Sequence, residues 1–226
     1  FGSPVADYLF YPAYRLDRYL WQEKWQVAFL VPNVDAGQYA HPLEADLPDG
    51  DAAIMEAASR IYVLKGTQAL EAGDHSAAVK VFSQAIEAKP DESDPYLNRG
   101  RLYEDSGSWQ KALDDYKAAV TVNPESYAAH NDVAWLLATC PDDDIRDGTV
   151  AIAHATKACE LTHWELFATY ETLAAAYAQT GQYRLAVDYQ NKAIELAPNP
   201  SKESLRETLK LFESGEPARL QVPPGR

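Results

Sequence analysis

The histidines and cysteines are the residues of this chain best suited to bind a metal ion. The sequence contains five histidines and two cysteines. Cys159 and His163 are four residues apart, so the two side chains can share one face of a helix. A structural zinc site takes four ligands, and two ligands do not make a site. We therefore expect no metal and no other cofactor.

Three consecutive aspartates, Asp142 to Asp144, are the strongest acidic run in the chain. A calcium loop places its ligands at alternate positions, which this run does not do, so the sequence favours a solvated acidic turn. The sequence also lacks a glycine-rich phosphate loop and a serine nucleophile elbow. We therefore predict a protein that is not an enzyme. An enzyme built on a helical scaffold is kept as an alternative that would need a metal or cofactor.

The charge of the chain limits the classes of partner. The formal net charge is −14, which disfavours nucleic acid and anionic membrane surfaces, because both attract basic patches. No stretch approaches the ~20 apolar residues of a membrane span. We expect a soluble chain that binds proteins or peptides. It begins at Phe1 rather than Met, as a processed or truncated chain would, and we favour an exported or periplasmic location over a cytoplasmic one.

A set of small, aromatic and turn residues recurs 34 positions along the chain. Its members are Tyr62, Gly66, Ala78, Phe82, Ala85 and Pro90, followed by Tyr96, Gly100, Ala112, Tyr116, Ala119 and Pro124. This period is typical of helix–turn–helix units that bury their apolar faces only by stacking on neighbours. The glycine that is the second member of each set predicts a close approach of two helices. Stacked pairs build a curved binding surface rather than one closed catalytic cavity.

These residues resemble the tetratricopeptide repeat, whose pattern runs W-x2-L-G-x2-Y, then A-x3-F, then P. Tyr96-x2-Arg99-Gly100-x2-Tyr103 matches it well, and Tyr170-x2-Leu173-Ala174-x2-Tyr177 is a later copy. That copy lies 74 residues after the second one, which is two periods and six residues more. We therefore predict a degenerate repeat between them, with a lengthened turn from Cys140 to Gly148.

The resemblance implies an all-α, right-handed superhelical solenoid of about four helix pairs. We place the array at residues 51–200, with repeats at 59–92, 93–126, 127–166 and 167–200. A capping helix follows at 201–213, with Ser201 as its cap, and residues 214–226 form a loose tail because of their prolines and glycines. Asp94 and Pro95 are expected to begin the first helix of the second repeat.

Residues 1–50 form an aromatic-rich, irregular N-terminal extension. Ten aromatic residues fall in the first 40, and a disordered leader is usually poor in them. Either the array or a partner protein must cover these side chains. Trp21 and Trp25 lie one helical turn apart and are candidate anchors for a partner.

The resemblance also implies that the concave face, lined by the first helix of each pair, binds the partner. The predicted binding residues on that face are Arg60, Asn98, Arg101, Asn131, Asp132, Trp135 and Glu171. Amides clamp a peptide backbone, a guanidinium binds a carboxylate, and a tryptophan anchors an interface. In the alternative interpretation, Trp135 fills the space between repeats and Arg101 is a solvated charge.

One subclass of the family grips the C-terminal carboxylate of chaperones with lysines, asparagines and an arginine. The matching positions here hold Val63, Thr67, Asn98, Ala128 and Asp132, of which only Asn98 fits, so this activity is not expected. We predict a non-catalytic scaffold, adaptor or accessory subunit of a larger assembly. The alternative is self-assembly, in which repeats of different copies stack into a homo-oligomer.

Overall fold

The computed structural model describes residues 51–221, and within this range the chain is a succession of α-helices without strands. Their bounds are α1 Asp51–Glu71, α2 His75–Ala88, α3 Ser93–Asp105, α4 Trp109–Val122, α5 Tyr127–Thr139, α6 Gly148–Leu161, α7 Phe167–Gln179, α8 Tyr183–Leu196 and α9 Asn199–Glu213. The predicted all-α fold is confirmed.

The helices form four consecutive pairs, α1–α2, α3–α4, α5–α6 and α7–α8, and each pair packs on the next. The first helices also contact one another, α3 with α5 and α5 with α7. Because the described helix pairs contact mainly the pairs next to them in the chain, the structure is a solenoid rather than a closed bundle. Helix α9 covers the last pair and buries Leu205 and Phe212, as the predicted capping helix does.

The two repeated glycines lie where paired helices approach most closely. A Cβ atom on Gly66 would lie 2.5 Å from Cε1 of Phe82, and one on Gly100 would lie 2.6 Å from Cε1 of Tyr116. Both distances are far below van der Waals contact, so only glycine lets the aromatic ring of the second helix rest against the first helix. The predicted close approach is confirmed.

The third repeat has the lengthened turn that its spacing predicts. Helix α5 ends at Thr139 and α6 begins at Gly148. The turn is ordered by its own side chains: Ile145 is buried, Arg146 Nη1 donates to the Cys140 carbonyl at 2.6 Å, and the Asp147 carboxylate accepts from the first backbone N–H groups of α6. The acidic residues before Ile145 are exposed, as expected for a solvated turn.

The predicted starts of two helices were wrong. Helix α3 begins at Ser93, with Glu92 at the cap position and no side-chain cap, so Asp94 lies inside the first turn. Helix α9 begins at Asn199 after Pro198, so Ser201 is not its cap. Ser201 is buried instead. Pro95 and Ser201 are both buried inside the first turn of their helices rather than at the positions that the capping pattern predicts.

The C-terminal segment is not loose as far as the structure describes it. The Leu220 backbone N–H donates to the carbonyl of Thr139 at 2.8 Å, and Ala218 and Leu220 pack against the hydrophobic core. The prolines and glycines prevent a helix, but they do not prevent an extended segment from packing on the array. Residues 222–226 lie outside the described range.

Within residues 51–221, no helix combines the length and the apolar character that crossing a membrane requires.

Candidate functional site

The predicted binding residues lie on four first helices. Arg60 is on α1, Asn98 and Arg101 are on α3, Asn131, Asp132 and Trp135 are on α5, and Glu171 is on α7. We use the name inner row for the subset on α3, α5 and α7 that the fold brings together or buries: Arg101, Asn131, Asp132, Trp135 and Glu171. The partner-binding role of these residues stays a prediction.

The inner row contains an ion pair between repeats. Arg101 Nη2 on α3 donates to Asp132 Oδ2 on α5. The Asp132 side chain is 2% exposed and the Arg101 side chain 15%, so the pair is largely removed from water. Arg101 is therefore not the solvated charge of the alternative interpretation.

Asn131 and Trp135 are buried in the same helix. Trp135 is 6% exposed and belongs to the hydrophobic core cluster between repeats, as the alternative interpretation of this residue expects. Asn131 is 3% exposed, and its Oδ1 atom is buried without a hydrogen-bond partner in the described structure. A buried acceptor of this kind costs about 1–3 kcal/mol if it stays unsatisfied. Asn131 is the inner-row residue that most clearly offers an acceptor to an incoming backbone N–H.

The remaining predicted residues differ in exposure. Glu171 on α7 is buried, Asn98 is half-buried, and Arg60 is exposed on α1. Three of the four first helices thus contribute polar groups at successive positions along the solenoid. Trp21 and Trp25 lie outside the described residues.

A bidentate ion pair inside the second repeat was not foreseen from the sequence. Arg99 donates from Nε and Nη2 to the two carboxylate oxygens of Asp115, each at 2.8 Å, and from Nη1 to Ser83 Oγ at 2.9 Å. The hydrogen bond that Arg99 donates to Asp115 raises the pKa of Arg99. These hydrogen bonds join α2, α3 and α4. They stabilise the position of α3, the helix that carries Asn98 and Arg101.

A cluster of aromatic rings surrounds the turn between α6 and α7. The ring centroids of Trp164 and Tyr170 lie 5.6 Å apart, and those of Tyr177 and Tyr189 lie 5.4 Å apart in a stacked arrangement. Lys192 Nζ lies 5.0 Å from the centroid of Tyr189, a cation–π contact. Trp164 keeps 36% of its surface exposed, so this cluster joins the last two repeats and also presents an aromatic side chain to solvent.

The backbone that presents Trp164 is strained. His163 and Trp164 have φ angles of 52° and 60°, the left-handed region that disfavours residues with a side chain, at about 1–3 kcal/mol each. The conformation ends α6, because His163 N–H donates to Glu160 O and Trp164 N–H to Cys159 O. A tryptophan rarely adopts a positive φ, so the residue types alone do not indicate this turn.

Two histidines of the third repeat face each other. His130 Nδ1 and His154 Nδ1 lie 2.9 Å apart, and His130 Nε2 lies 3.0 Å from the Pro124 carbonyl oxygen. The carbonyl requires a hydrogen on His130 Nε2, so in the neutral pair His154 Nδ1 must donate to His130 Nδ1. Burial, the neighbouring His130 and Lys117 together lower the pKa of His154.

The two cysteines are free thiols. Burial raises the pKa of both Cys140 and Cys159 to about 11, so neither is a thiolate at neutral pH. Cys159 does not join a metal set: across residues 51–221, no group of three or more histidine, cysteine, aspartate or glutamate side chains is placed to hold a metal ion.

Comparison with known families identifies the repeats. Models of the tetratricopeptide repeat match residues 63–126, 97–139 and 167–200. These ranges include the degenerate third repeat only as far as the end of α5. The lengthened turn and α6 fall between the matched ranges.

Similar proteins carry the same repeat. The chain is 29% identical over 158 residues to the tetratricopeptide repeat and J domain-containing co-chaperone DNJ1 of Cryptococcus neoformans, a match that covers 68% of this chain and 30% of that protein. The chain spans less than half the length of the curated relatives that it matches.

Solved structures share the fold. MamA from Desulfovibrio magneticus RS-1 superimposes with a TM-score of 0.59 at 15% identity, covering 75% of this chain and 86% of MamA. PilW, a type IV pilus biogenesis factor, superimposes with a TM-score of 0.60 at 18% identity, covering 70% of each chain. At these identities the likeness shows the solenoid fold alone.

Proposed function

Because this chain belongs to the tetratricopeptide repeat family, we propose that it is a non-catalytic scaffold, adaptor or accessory subunit whose inner row binds a protein partner. Proteins built from these repeats are in general protein-interaction scaffolds. The finer proposal concerns where on the array the partner binds and what chemistry the contact uses.

The unsatisfied Oδ1 atom of Asn131 carries the proposal. This buried atom lies on α5, the helix between the second and fourth repeats, which also carries Asp132. A partner backbone N–H that reached Asn131 would remove the free-energy cost of the buried acceptor. An amide at this position thus favours an extended peptide segment as the ligand.

The charges of the inner row indicate the character of the partner segment. Asp132 and Glu171 supply two carboxylates, and Arg101 supplies one guanidinium. These charged groups lie in a chain whose net charge is −14, which favours a partner of opposite charge. We expect a polar to basic partner segment, whose binding weakens as salt screens the long-range attraction.

The N-terminal extension is the second part of the proposal. We propose that Trp21 and Trp25 contact the same partner that the inner row binds. Deletion of residues 1–45 tests this. If the extension is a docking arm, the shortened chain keeps its melting temperature and loses partner affinity. If it caps the array, the shortened chain melts several degrees lower or aggregates.

Self-assembly is the alternative proposal, and exposed apolar side chains on α1 favour it. Met55 is 50% exposed and Leu64 is 59% exposed, on the first helix of the stack. A second copy that stacks on this end would bury them. Light scattering separates the alternatives, because a chain that stays monomeric at micromolar concentration excludes self-assembly through α1.

Affinity purification with three baits tests the main proposal. The intact chain and a variant with Asn98→Ala and Asn131→Ala are used to capture proteins from the native source, which mass spectrometry then identifies. We expect a partner that the intact chain retains and the double variant loses. The matched control is Asn191→Ala, at an exposed position on α8, which should retain it. A partner held equally by all three baits contradicts binding at the inner row.

Fractionation of the native source addresses the exported or periplasmic location, which is likewise a proposal.

A further inference from the structure

The C-terminal end of α5 is buried, and its last carbonyl groups need donors from outside the helix. Thr139 is 1% exposed and Cys140 is fully buried. The final turn of any α-helix leaves carbonyls without partners in the helix. In a buried turn, water cannot satisfy all of them.

The lengthened turn of the third repeat supplies some of these donors. The Asp147 backbone N–H donates to the Leu137 carbonyl at 3.0 Å, and Arg146 Nη1 donates to the carbonyl of Cys140 at 2.6 Å. The Ala138 and Thr139 carbonyls are not reached by this turn. They form a pair of neighbouring acceptors at the negative end of the helix dipole.

The C-terminal segment satisfies these two acceptors. The Leu220 backbone N–H donates to Thr139 O at 2.8 Å, and Arg219 Nη1 donates to Ala138 O at 3.3 Å. On either side of Arg219, the side chains of Ala218 and Leu220 pack against the core. Alternate side chains thus pack inwards, while main-chain and guanidinium groups donate hydrogen bonds to the carbonyls at the end of the helix. An extended peptide binds in the same way.

The segment is attached weakly compared with the helices. Glu216, Arg219 and Gln221 are exposed, and Leu220 is only half-buried. Arg219 also lies near the like charge of Arg146, and burial together with Arg146 lowers the pKa of Arg219. Few buried apolar contacts and exposed backbone are the properties of a segment that opens locally without unfolding the protein.

We propose that the buried end of α5 is a peptide-binding site in its own right, with residues 217–220 as an exchangeable resident ligand. Its partner is an extended protein segment in which an arginine is followed by an apolar residue, the arrangement of Arg219 and Leu220. The site is distinct from the inner row because it binds its ligand through the Ala138 and Thr139 main-chain carbonyls rather than through polar side chains. The proposal can be tested independently of the inner row, because a peptide copied from this chain serves as the ligand.

Binding of a peptide in trans tests the proposal on the full chain. The probe is a fluorescent peptide of residues 214–221, and the variant is Leu220→Asp, whose own segment can no longer bury that side chain. In the intact chain the tethered segment competes at an effective concentration of order millimolar. By fluorescence anisotropy we therefore expect the peptide to bind the variant at least about tenfold more tightly than the intact chain.

Two controls accompany this measurement. The peptide carrying Leu220→Asp should bind neither protein. The chain carrying Leu196→Asp, at an exposed leucine of α8, should behave like the intact chain. Equal affinity of the wild-type peptide for the intact and Leu220→Asp chains would overturn the proposal. So would absence of binding to a Leu220→Asp chain that retains its helical content.

A second measurement needs no substitution, and so covers the case of a variant that fails to fold. In amide hydrogen exchange on the intact chain, a resident ligand that opens locally should leave the Leu220 amide exchanging on the order of 100-fold faster than the Cys140 amide. The Cys140 amide donates within the end of α5, to Leu136 O. Equal protection of the two amides contradicts an exchangeable segment.

Discussion

Arg101 on α3 and Asp132 on α5 form a largely buried ion pair that joins the second repeat to the third. The two residues are 31 positions apart, close to one repeat, so they occupy nearby positions on successive first helices. The pair fixes how one repeat is placed on the next and supplies two of the charges of the inner row.

Removal of Arg101 should destabilise the array. Arg101→Ala takes the cation away from a carboxylate that is 2% exposed, and breaking a buried pair in this way costs about 3–5 kcal/mol. Urea unfolding followed by circular dichroism measures the change. Arg184→Ala, on the exposed surface of α8, is the control and should change stability by less than about 0.5 kcal/mol.

A double variant separates the role of the pair in stability from its role in binding. Arg101→Met combined with Asp132→Leu replaces both charges by apolar groups, and most of the lost stability should return. If the inner row binds the partner, affinity should not return with it. A double variant as unstable as Arg101→Ala would contradict this expectation.

The contact between Gly66 and Phe82 predicts a second change in stability. Gly66→Ala places a Cβ 2.5 Å from the Phe82 ring, and the resulting overpacking should cost about 1–3 kcal/mol. Phe82→Leu makes room for the added methyl group. The double variant should therefore be less destabilised than the sum of the two single variants, as measured by thermal unfolding. Strict additivity would contradict the contact.

The histidine pair predicts a loss of stability on acidification. Because the pKa of His154 is lowered in the folded protein, the unfolded chain binds more protons between that lowered pKa and the ordinary value near 6.5. Stability therefore falls as pH decreases through this window and is unaffected above it.

Urea midpoints measured from pH 7.5 to 5 check this dependence. The intact chain should lose stability over the range, and His154→Asn should flatten the curve. His75→Asn is the matched control on α2 and should leave the curve as it is in the intact chain. The account is wrong if His154→Asn and the intact chain show the same dependence.

The strained turn after α6 predicts a stabilising substitution. His163 has a φ of 52°, which glycine adopts without steric penalty. His163→Gly should raise the free energy of unfolding by about 0.5–1 kcal/mol. The reverse change at Gly181, which has a φ of 76°, should lower it. An unchanged or lower stability of His163→Gly would show that the histidine side chain stabilises the turn more than its backbone strain destabilises it.

The sequence predicted the repeats well because their signals are local. Gly66 and Gly100 mark the close approach of two helices through spacing alone, and the extra residues before Gly148 mark the lengthened turn. It predicted the site less well. Whether Trp135 is exposed or buried depends on how α5 packs between α3 and α7, which residue type does not reveal. The contact of Leu220 with Thr139 joins positions 81 apart, and it exists only because the solenoid returns the chain to that place.

Binding of the partner at the inner row depends above all on the Asn131 amide, so its removal gives the sharpest test. Isothermal titration of the captured partner with the intact chain, Asn131→Ala and Asn191→Ala gives three dissociation constants. We predict that Asn131→Ala weakens binding by about 1–3 kcal/mol, with helical content unchanged, and that Asn191→Ala binds like the intact chain. Equal affinities for all three proteins would contradict the claim.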